Sequence, residues 1–364
     1  MSERSARDLG IRIGTADTGP ANAITDVTGV RVGHATIIRG DGPLRVGQGP
    51  VRTGVTVIMP HEGSIQDEPL YAGFHWLNGN GELTGTAWIH DGGMLTTPIG
   101  LTNTHSVGVV RDALIDLDRR GAGRTAWGLP VVGETWDGIL NDIDGQHVTP
   151  AHVREAYDSA TGGAVAEGNT GGGTGMICHG FKGGIGTASR VVDGGWTVGV
   201  LLQANHGRRE RLTVDGVPVR IEDVPRPAPP GFDGAGSVIA IVATDAPLLP
   251  HQCRRLAQRA GLGIARTGGA GENSSGDGFL AFSTANRGRL PSDALGTEPP
   301  RVLQLEALAD AYLDPLFHGV IEATEEAVLN ALLAAETMTG RDGVTAYALD
   351  SDRLLGILRR AGAG

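Results

Sequence analysis

The chain has 364 residues, enough for one large α/β domain or two ordinary ones with a sizeable core. Lys and Arg number 30 against 41 Asp and Glu, and this formal net charge of -11 argues against a broad nucleic-acid or membrane-surface role. The amino-terminal residues contain no apolar segment of signal-peptide length, and two cysteines cannot build a disulfide framework. Composition therefore predicts a soluble cytoplasmic protein with free thiols.

The first part of the chain reads as strands and turns, followed by helices. Residues 11–59 alternate short apolar segments with turns, which is typical of a β-meander. Residues 109–120 have apolar side chains at helical spacing and precede Gly121 and Gly123, a plausible helix end. Thr149 followed by Pro150 predicts an N-cap and the first residue of a helix. Between residues 61 and 108 few regular elements are legible.

A glycine-dense segment spans residues 167–210. It offers neither the lysine position of a P-loop nor the spacing of a dinucleotide fingerprint, because Lys182 stands between Phe181 and Gly183. Two paired strands, at residues 185–192 and 196–205, fit the pattern better than a phosphate-binding loop. The glycines then permit close backbone packing beside an active site.

Residues 225–248 form the segment around which the chain is organised. Prolines favour an extended, exposed conformation up to Gly234, and the following run from Val238 to Val242 is apolar throughout. Such a run predicts a strand buried on both faces, with Ser237 at its beginning. A second strand is predicted at residues 279–282, and two helices at residues 301–339 separated near Asp314 and Pro315. The helix after the Ser237 strand has one apolar stripe: Leu249, Cys253, Leu256, Ala257 and Ala260.

The catalytic motifs of several hydrolase classes are absent from the sequence. There is no Gly-x-Ser-x-Gly nucleophile elbow and no His-Glu-x-x-His, and the eleven histidines show no metal-ligand spacing. An N-terminal-nucleophile design remains: cleavage of the Gly236–Ser237 bond would give Ser237 a free amine, with an ordinary pKa of about 7.7–8.0, that can act as a base. By itself, a Gly-Ser step before a strand is common and usually marks a turn.

Five longer segments carry a family resemblance. They are NTHSVG (103–108), ETWDGILNDIDG (134–145), EGNTGGGTGMICHGFKGGIGTASR (167–190), the segment from GSVIAIVATDAP to GIARTG (236–268) and SSGDGFLAFSTAN (274–286). Together they resemble the DmpA family, the L-aminopeptidase/D-amidase-esterases and β-peptidyl aminopeptidases, over nearly the whole chain. The resemblance implies an α/β fold, a four-layer αββα sandwich similar to the Ntn hydrolases but differently connected, as in the ornithine acetyltransferases.

The resemblance also implies a single catalytic domain, residues 1–364, that cleaves itself between Gly236 and Ser237. The products would be an α chain of residues 1–236 and a β chain of residues 237–364, with Ser237 as the nucleophile. No cofactor or metal is implied. The implied substrates are short peptides and amino-acid amides or esters, without nucleic-acid or membrane partners, and the implied assembly is a tetramer of αβ units.

Five further positions match the family's site. Ser275 and Asp277 match a second serine and its acidic partner, proposed to relay or orient the proton; some members have glutamate in place of Asp277. Asn205 matches an oxyanion-hole amide. Glu134 matches the acid that holds the substrate amine, and Trp136 stands where tyrosine can occur. Without the resemblance, Glu134 reads as an ordinary loop acid, and Asn205 and Ser275 read as turn residues.

Two alternatives remain open from the sequence. An acyl transferase like the ornithine acetyltransferases would also self-cleave, but its nucleophile is threonine. An uncleaved relative would be a non-catalytic, oligomeric binding protein.

Overall fold

The structure is a computed structural model that describes residues 5–118, 127–227, 236–290, 298 and 300–362. Its α-helices are α1 Thr86–Gly92, α2 Val107–Asp118, α3 Pro150–Asp158, α4 Pro250–Arg266, α5 Asp314–Leu333 and α6 Ser351–Ala361. Its strands are β1 Arg31–Arg39, β2 Val51–Met59, β3 Leu70–Gly79, β4 Met94–Leu95, β5 Ile99–Asn103, β6 Val131–Thr135, β7 Ile177–Cys178, β8 Phe181–Lys182, β9 Gly184–Val191, β10 Thr197–Asn205, β11 Thr213–Val214, β12 Val217–Pro218, β13 Ser237–Thr244, β14 Gly276–Ser283, β15 Met338–Thr339 and β16 Thr345–Ala346.

Two stacked sheets lie between two layers of helices. One sheet has six strands in the order β4-β3-β14-β13-β10-β9, and the other has four in the order β1-β2-β5-β6. Helices α4 and α5 cover the six-stranded sheet, while α2 and α3 cover the four-stranded sheet. The α/β prediction and its four-layer αββα form are therefore confirmed.

Strand β13 supplies side chains to two separate hydrophobic cores. Val238, Ala240 and Val242 pack with α4 and α5, whereas Ile239 and Ile241 pack between the two sheets. Every residue of this strand is buried. Because burial of each large aliphatic side chain contributes roughly 1.5–3 kcal/mol, both faces fix the position of the strand.

Glycines bring the layers into close contact, as the glycine-dense segment predicted. A Cβ on Gly186 of β9 would lie 1.9 Å from the carbonyl oxygen of Ala327 in α5. A Cβ on Gly184 would lie 2.0 Å from the carbonyl oxygen of Gly168. Only residues without a side chain fit at these two positions.

Several predicted elements are confirmed. β9 and β10 are paired and antiparallel, β14 contains the predicted strand, and α3 begins at Pro150 after the N-cap Thr149. On α4, the predicted stripe is buried except for its first residue, Leu249, which is half-buried. The predicted prolines and glycines at residues 228–235, and the predicted end of α2 at Gly121 and Gly123, lie outside the described residues.

Two predictions need correction. Residues 301–339 contain one α-helix, α5, and not two, because backbone groups before it bond to distant residues: Glu306 pairs with Asn286, and the amide of Leu308 donates to Pro247. The meander over residues 11–59 is only partly right, since β1 and β2 pair as antiparallel neighbours but no strand forms within residues 11–30.

Three strand ends meet at one edge of the six-stranded sheet. β10 ends at Asn205, which pairs with Ser237 at the start of β13, and Ser237 pairs with Gly276 at the start of β14. This edge holds most of the predicted site residues. Within the described part of the chain, no helix combines the length and apolar character needed to cross a membrane.

Candidate active site

Ser237 is the first residue of the central strand and is 4% exposed. Strand alternation places it on the same face as Ile239 and Ile241, towards the four-stranded sheet. Leu201 of the antiparallel partner β10 also faces this way, so Asn205 lies on the same face as Ser237. The predicted nucleophile and the predicted amide donor are therefore direct cross-strand neighbours.

Gly236 occupies a position that accepts no side chain. A Cβ there would lie 2.3 Å from the carbonyl oxygen of Asn205 and 2.9 Å from the Cα of His206. Its own carbonyl oxygen accepts a hydrogen bond of 3.2 Å from the amide of Gly276. The backbone just before Ser237 is thus held between β10 and β14.

The side-chain amide of Asn205 has a fixed orientation. Its Oδ1 accepts a hydrogen bond of 2.8 Å from the amide of Ile177, and its Nδ2 donates one of 3.0 Å to the carbonyl oxygen of Trp136. Since Nδ2 carries two hydrogens, one remains for another acceptor. This geometry suits a donor to negative charge that develops near Ser237.

Ser275 and Asp277 form a buried pair. The Ser275 hydroxyl donates a hydrogen bond of 2.6 Å to Oδ1 of Asp277, while Oδ2 of Asp277 has no hydrogen-bond partner among the described residues. Burial raises the pKa of Asp277 to about 6, against the opposing bond from Ser275. Asp277 pairs with Val238 and shares the face of Phe279, so the pair lies on the α4 side of the sheet, opposite the Ser237 side chain.

Glu134 lies at the carboxyl end of β6 and is 3% exposed. Oε1 accepts a hydrogen bond of 3.0 Å from the amide of Glu82, and Oε2 accepts one from the Thr104 hydroxyl. Burial raises the pKa of Glu134, and both hydrogen bonds oppose that shift. A bound cation would offset the same cost of burial.

Gly81 links Glu134 to the serine edge. A Cβ on Gly81 would lie 3.1 Å from Oε1 of Glu134 and 3.1 Å from the Cα of Gly276, the strand partner of Ser237. An open groove begins here, lined by Trp76, Gly79, Gly81, Glu82, Leu83 and Thr84. The structure therefore brings Glu134 to the same end of the molecule as Ser237, beside a groove.

Trp136 contributes through its backbone. Its carbonyl oxygen accepts the bond from Asn205, and its half-buried indole packs over Gly138, where a Cβ would lie 2.5 Å from the ring. The position two residues after Glu134 thus connects the acid to the Asn205 amide.

Lys182 is a residue that sequence reasoning missed. It is fully buried, and its Nζ donates hydrogen bonds of 2.7, 2.9 and 3.3 Å to the carbonyl oxygens of Gly183, Met176 and Gly173. The peptide whose carbonyl oxygen belongs to Met176 has the Ile177 amide on its other side, and that amide donates to Asn205. One peptide unit therefore joins the buried ammonium to the Asn205 side chain.

A signal for Lys182 was present in the sequence. It is the only lysine in a chain whose other basic side chains, apart from histidine, are all arginine. Three carbonyl oxygens around one point suit a compact ammonium with three donors, whereas a planar guanidinium presents its donors as a fork. Burial lowers the pKa of Lys182 to about 7.

The fold and site define a class of protein before any relative is considered. A four-layer αββα sandwich with a serine at the head of its central strand, an amide donor beside it and a groove with a buried acid is the arrangement of an Ntn-type hydrolase.

Comparisons with known proteins agree with this class. Residues 22–346 match the sequence profile of peptidase family S58. The chain is 47% identical over 373 residues to the β-peptidyl aminopeptidase BapA of Sphingosinicella microcystinivorans, covering 98% of this chain and 92% of the relative. A Burkholderia sp. β-aminopeptidase structure has a TM-score of 0.93 at 52% identity, covering 99% of this chain and 100% of that one.

A further structural relative describes the fold. The L-aminopeptidase D-Ala-esterase/amidase of Ochrobactrum anthropi, described as a prototype of the serine aminopeptidases and a new variant of the Ntn hydrolase fold, has a TM-score of 0.89 at 47% identity. That match covers 98% of this chain and 99% of the relative.

The chain belongs to peptidase family S58 and is a serine aminopeptidase. Autocatalytic cleavage is typical of this family. The resemblance to the DmpA family is confirmed, and the comparisons do not favour an acyl transferase or a non-catalytic binding protein.

The Lys182 contacts generate a kinetic prediction. Lys182→Met keeps the length of the side chain but removes the ammonium, so the peptide that orients Asn205 loses its anchor. We expect kcat to fall about 10- to 100-fold, because small misplacements of a donor cost this much. KM should change little, since the groove is untouched.

Steady-state kinetics on an aminoacyl nitroanilide measure both parameters. Circular dichroism and thermal unfolding establish that the variant is folded. A folded variant with unchanged kcat would show that Lys182 only fills space.

Proposed function

We propose that this serine aminopeptidase is a self-processing enzyme whose nucleophile is Ser237. In this proposal residues 1–364 form a single catalytic domain, and cleavage at Gly236–Ser237 yields chains of residues 1–236 and 237–364. The observation that carries the proposal is the strand register, which sets Ser237 directly between Asn205 and Gly276. Autocatalytic cleavage is typical of the family, and this supports the proposal independently.

Self-cleavage would proceed by an N-to-O acyl shift. The Ser237 hydroxyl attacks the carbonyl carbon of Gly236, the Gly236–Ser237 C–N bond breaks, and the proton of the hydroxyl passes to the departing nitrogen. Water then opens the resulting ester, which leaves a carboxyl group on Gly236 and a free amine on Ser237. The absence of a side chain at Gly236 supports this course, because a Cβ would already collide with β10.

Turnover would reuse the same serine. The amine of Ser237 accepts the hydroxyl proton while the oxygen attacks the carbonyl carbon of the substrate's first residue, and it then gives that proton to the leaving amine. The remaining hydrogen of Asn205 Nδ2 would donate to the oxyanion, whose charge exists only in the tetrahedral state. Water hydrolyses the acyl-enzyme and restores Ser237.

The Ser275–Asp277 pair would act at the amine and not at the hydroxyl. It lies on the face of the sheet opposite the Ser237 side chain, so the backbone nitrogen at the head of β13 is the part of Ser237 that it can approach. A carboxylate there would hold and orient the new ammonium group. Asp277 Oδ2, which lacks a partner among the described residues, is suited to accept that bond.

Glu134 would bind the amine of the substrate. A buried carboxylate with a raised pKa gains from a cationic partner, and the groove beside it gives access from solvent. Trp136 would border the same subsite. Substrates would be short peptides and amino-acid amides or esters, and the names of the BapA and Burkholderia relatives favour β-amino acids at the first position.

We further propose a cytoplasmic location and a tetramer of αβ units, both from the family resemblance. Exposed apolar side chains such as Val302 and Tyr312, which are 75% and 65% exposed, are consistent with contact surfaces in the carboxyl-terminal part.

Ser237→Ala tests the nucleophile. We expect one uncut chain and loss of aminopeptidase activity, because neither the attacking oxygen nor the new amine is available. Denaturing electrophoresis and a nitroanilide assay measure these outcomes. Ser274→Ala, at an exposed serine next to Ser275, is the control and should be cut and active. Two bands from Ser237→Ala would refute the proposed cleavage chemistry.

Glu134→Gln tests recognition of the amine. The change keeps the shape and removes the charge, so KM for aminoacyl nitroanilides should rise about 10- to 100-fold, the value of a hydrogen bond between charged groups. Glu155→Gln is the matched control, since Glu155 is an exposed acid on α3 and does not line the groove. Equal KM values for Glu134→Gln and the unaltered enzyme would remove Glu134 from the subsite.

The pH dependence of the free energy of unfolding tests whether Asp277 lies close to the new amine of Ser237. Its pKa is raised to about 6 in the folded, uncut chain, above the ordinary value of 3.8, so its contribution to stability is full below about pH 4 and is lost as the pH rises to about 6. The ammonium group released by cleavage should lower the pKa of Asp277, so the pH range over which its contribution to stability is lost should become narrower.

The measurement compares unfolding free energies of Asp277 and Asp277→Asn proteins across this pH range, in the Ser237→Ala background and in cut enzyme. In the cut enzyme, the difference in unfolding free energy between the Asp277 and Asp277→Asn proteins should become constant at a lower pH than in the Ser237→Ala background. The same pH range in the cut and uncut proteins would mean that Asp277 does not face the amine.

A further inference from the structure

We propose that Cys178, His179 and His206 form a buried site for a thiophilic cation such as Zn²⁺. One possible ligand atom from each residue lies within 4.8 Å of those of the other two, and all three side chains are buried. Sequence spacing does not predict this cluster, because 26 residues lie between His179 and His206. Pairing around the ends of β7 and β10 brings them together.

The backbone fixes the positions of the two histidines. The amide of His179 donates a hydrogen bond of 2.7 Å to the carbonyl oxygen of His206. His179 has a left-handed φ of 48°, which is uncommon outside glycine, and its ring meets that of His206 edge-on. Gly207 gives the ring room, since a Cβ there would lie 2.4 Å from its Cε1. The ring centroids of the histidines are 5.3 Å apart.

His179 has the hydrogen bonding that metal-binding histidines show. Its Nδ1 lies 3.0 Å from the carbonyl oxygen of Arg208, to which it donates, so the tautomer leaves a lone pair on Nε2. Nε2 is buried and has no hydrogen-bond partner among the described residues. A buried acceptor without a donor costs free energy, and a cation at this point would remove that cost.

His206 and Cys178 complete the set. Nδ1 of His206 lies 3.9 Å from Sγ of Cys178, and Nε2 of His206 also has no partner in the described part of the chain. One thiol and two neutral imidazoles are ligands that Zn²⁺ and Cu⁺ favour, and oxygen-seeking Mg²⁺ or Ca²⁺ do not. The donor set therefore selects a soft or borderline ion with low coordination number.

The neighbouring positive side chains, Arg209 and Lys182, donate hydrogen bonds to backbone carbonyl oxygens. Arg209 donates to the carbonyl oxygens of Gly180 and Val224 and lies 4.2 Å from the ring centre of Phe181, and Lys182 donates to three carbonyl oxygens.

The site would be structural. His206 follows Asn205 directly and its Cα lies under Gly236, so a bound ion would tie the end of β10 to residues 178 and 179. The expected consequence is higher stability of the edge that carries Ser237, without participation of the ion in the reaction.

The test uses Co²⁺ as a spectroscopic probe and Zn²⁺ as its competitor. Chelator-treated enzyme is titrated with Co²⁺, and a second sample is expressed in Co²⁺-supplemented medium so that the buried site can load during folding. We expect one ion per chain and a thiolate-to-cobalt charge-transfer band that Zn²⁺ abolishes. Zn²⁺ should also raise the Tm. The proposal is overturned if the charge-transfer band is absent from both the titrated and the cobalt-grown enzyme and the enzyme also binds no Cu⁺.

Variants locate the ion. Cys178→Ser should lose the charge-transfer band, whereas Cys253→Ser, which changes the other fully buried free thiol, should keep it. His206→Phe removes a ligand and should therefore weaken Co²⁺ binding by more than about 100-fold. Loss of a residue that only hydrogen-bonds to a ligand typically costs about 10- to 100-fold. A band that survives Cys178→Ser would place the ion elsewhere. These readouts do not use activity, so they stand apart from the assignment of Ser237.

Discussion

The site depends on one constraint: strand β13 is buried on both faces, so its first residue cannot shift. Val238, Ala240 and Val242 are held by α4 and α5, and Ile239 and Ile241 by the four-stranded sheet. The hydrophobic effect thereby sets the depth and register of Ser237 relative to β10 and β14. Apolar packing several residues away therefore fixes the position of Ser237, the proposed nucleophile, beside its cross-strand partner Asn205.

Polar groups around this edge form hydrogen-bond networks. Each network ends at a side chain that can still make one more hydrogen bond or ion pair. The Lys182 ammonium holds the Met176–Ile177 peptide, that peptide holds Asn205, and Asn205 retains one hydrogen. Thr104 and the backbone amide of Glu82 hold Glu134, whose raised pKa favours a cationic partner. Burial of these polar groups costs free energy in each case, and in the proposed mechanism the transition state at Asn205 and the substrate amine at Glu134 would offset that cost.

The sequence predicted the elements whose signals are local. The apolar run of β13, the N-cap before α3 and the stripe on α4 follow from period and capping. The candidate site residues came from a family resemblance carried by long motifs, and their roles remain predictions. It failed where partners are distant. β3 was not predicted although it lies beside β14, because its aromatic and glycine residues show no alternation. Residues before α5 look helical but are extended by bonds to Asn286 and Pro247. The contacts of Lys182, and the proximity of Cys178 to His206, arise only when the chain folds. No spacing in the sequence predicts either of them.

The central claim is that the chain becomes two chains with Ser237 at a new amino terminus. Intact-mass analysis of purified enzyme tests this most directly, because it reads the position of the cut without assuming a substrate. We predict two species, one ending at Gly236 and one beginning at Ser237, whose masses together exceed that of the 37.6 kDa chain by one water. An active enzyme that contains only the 37.6 kDa species, or a cut at any other bond, would contradict it.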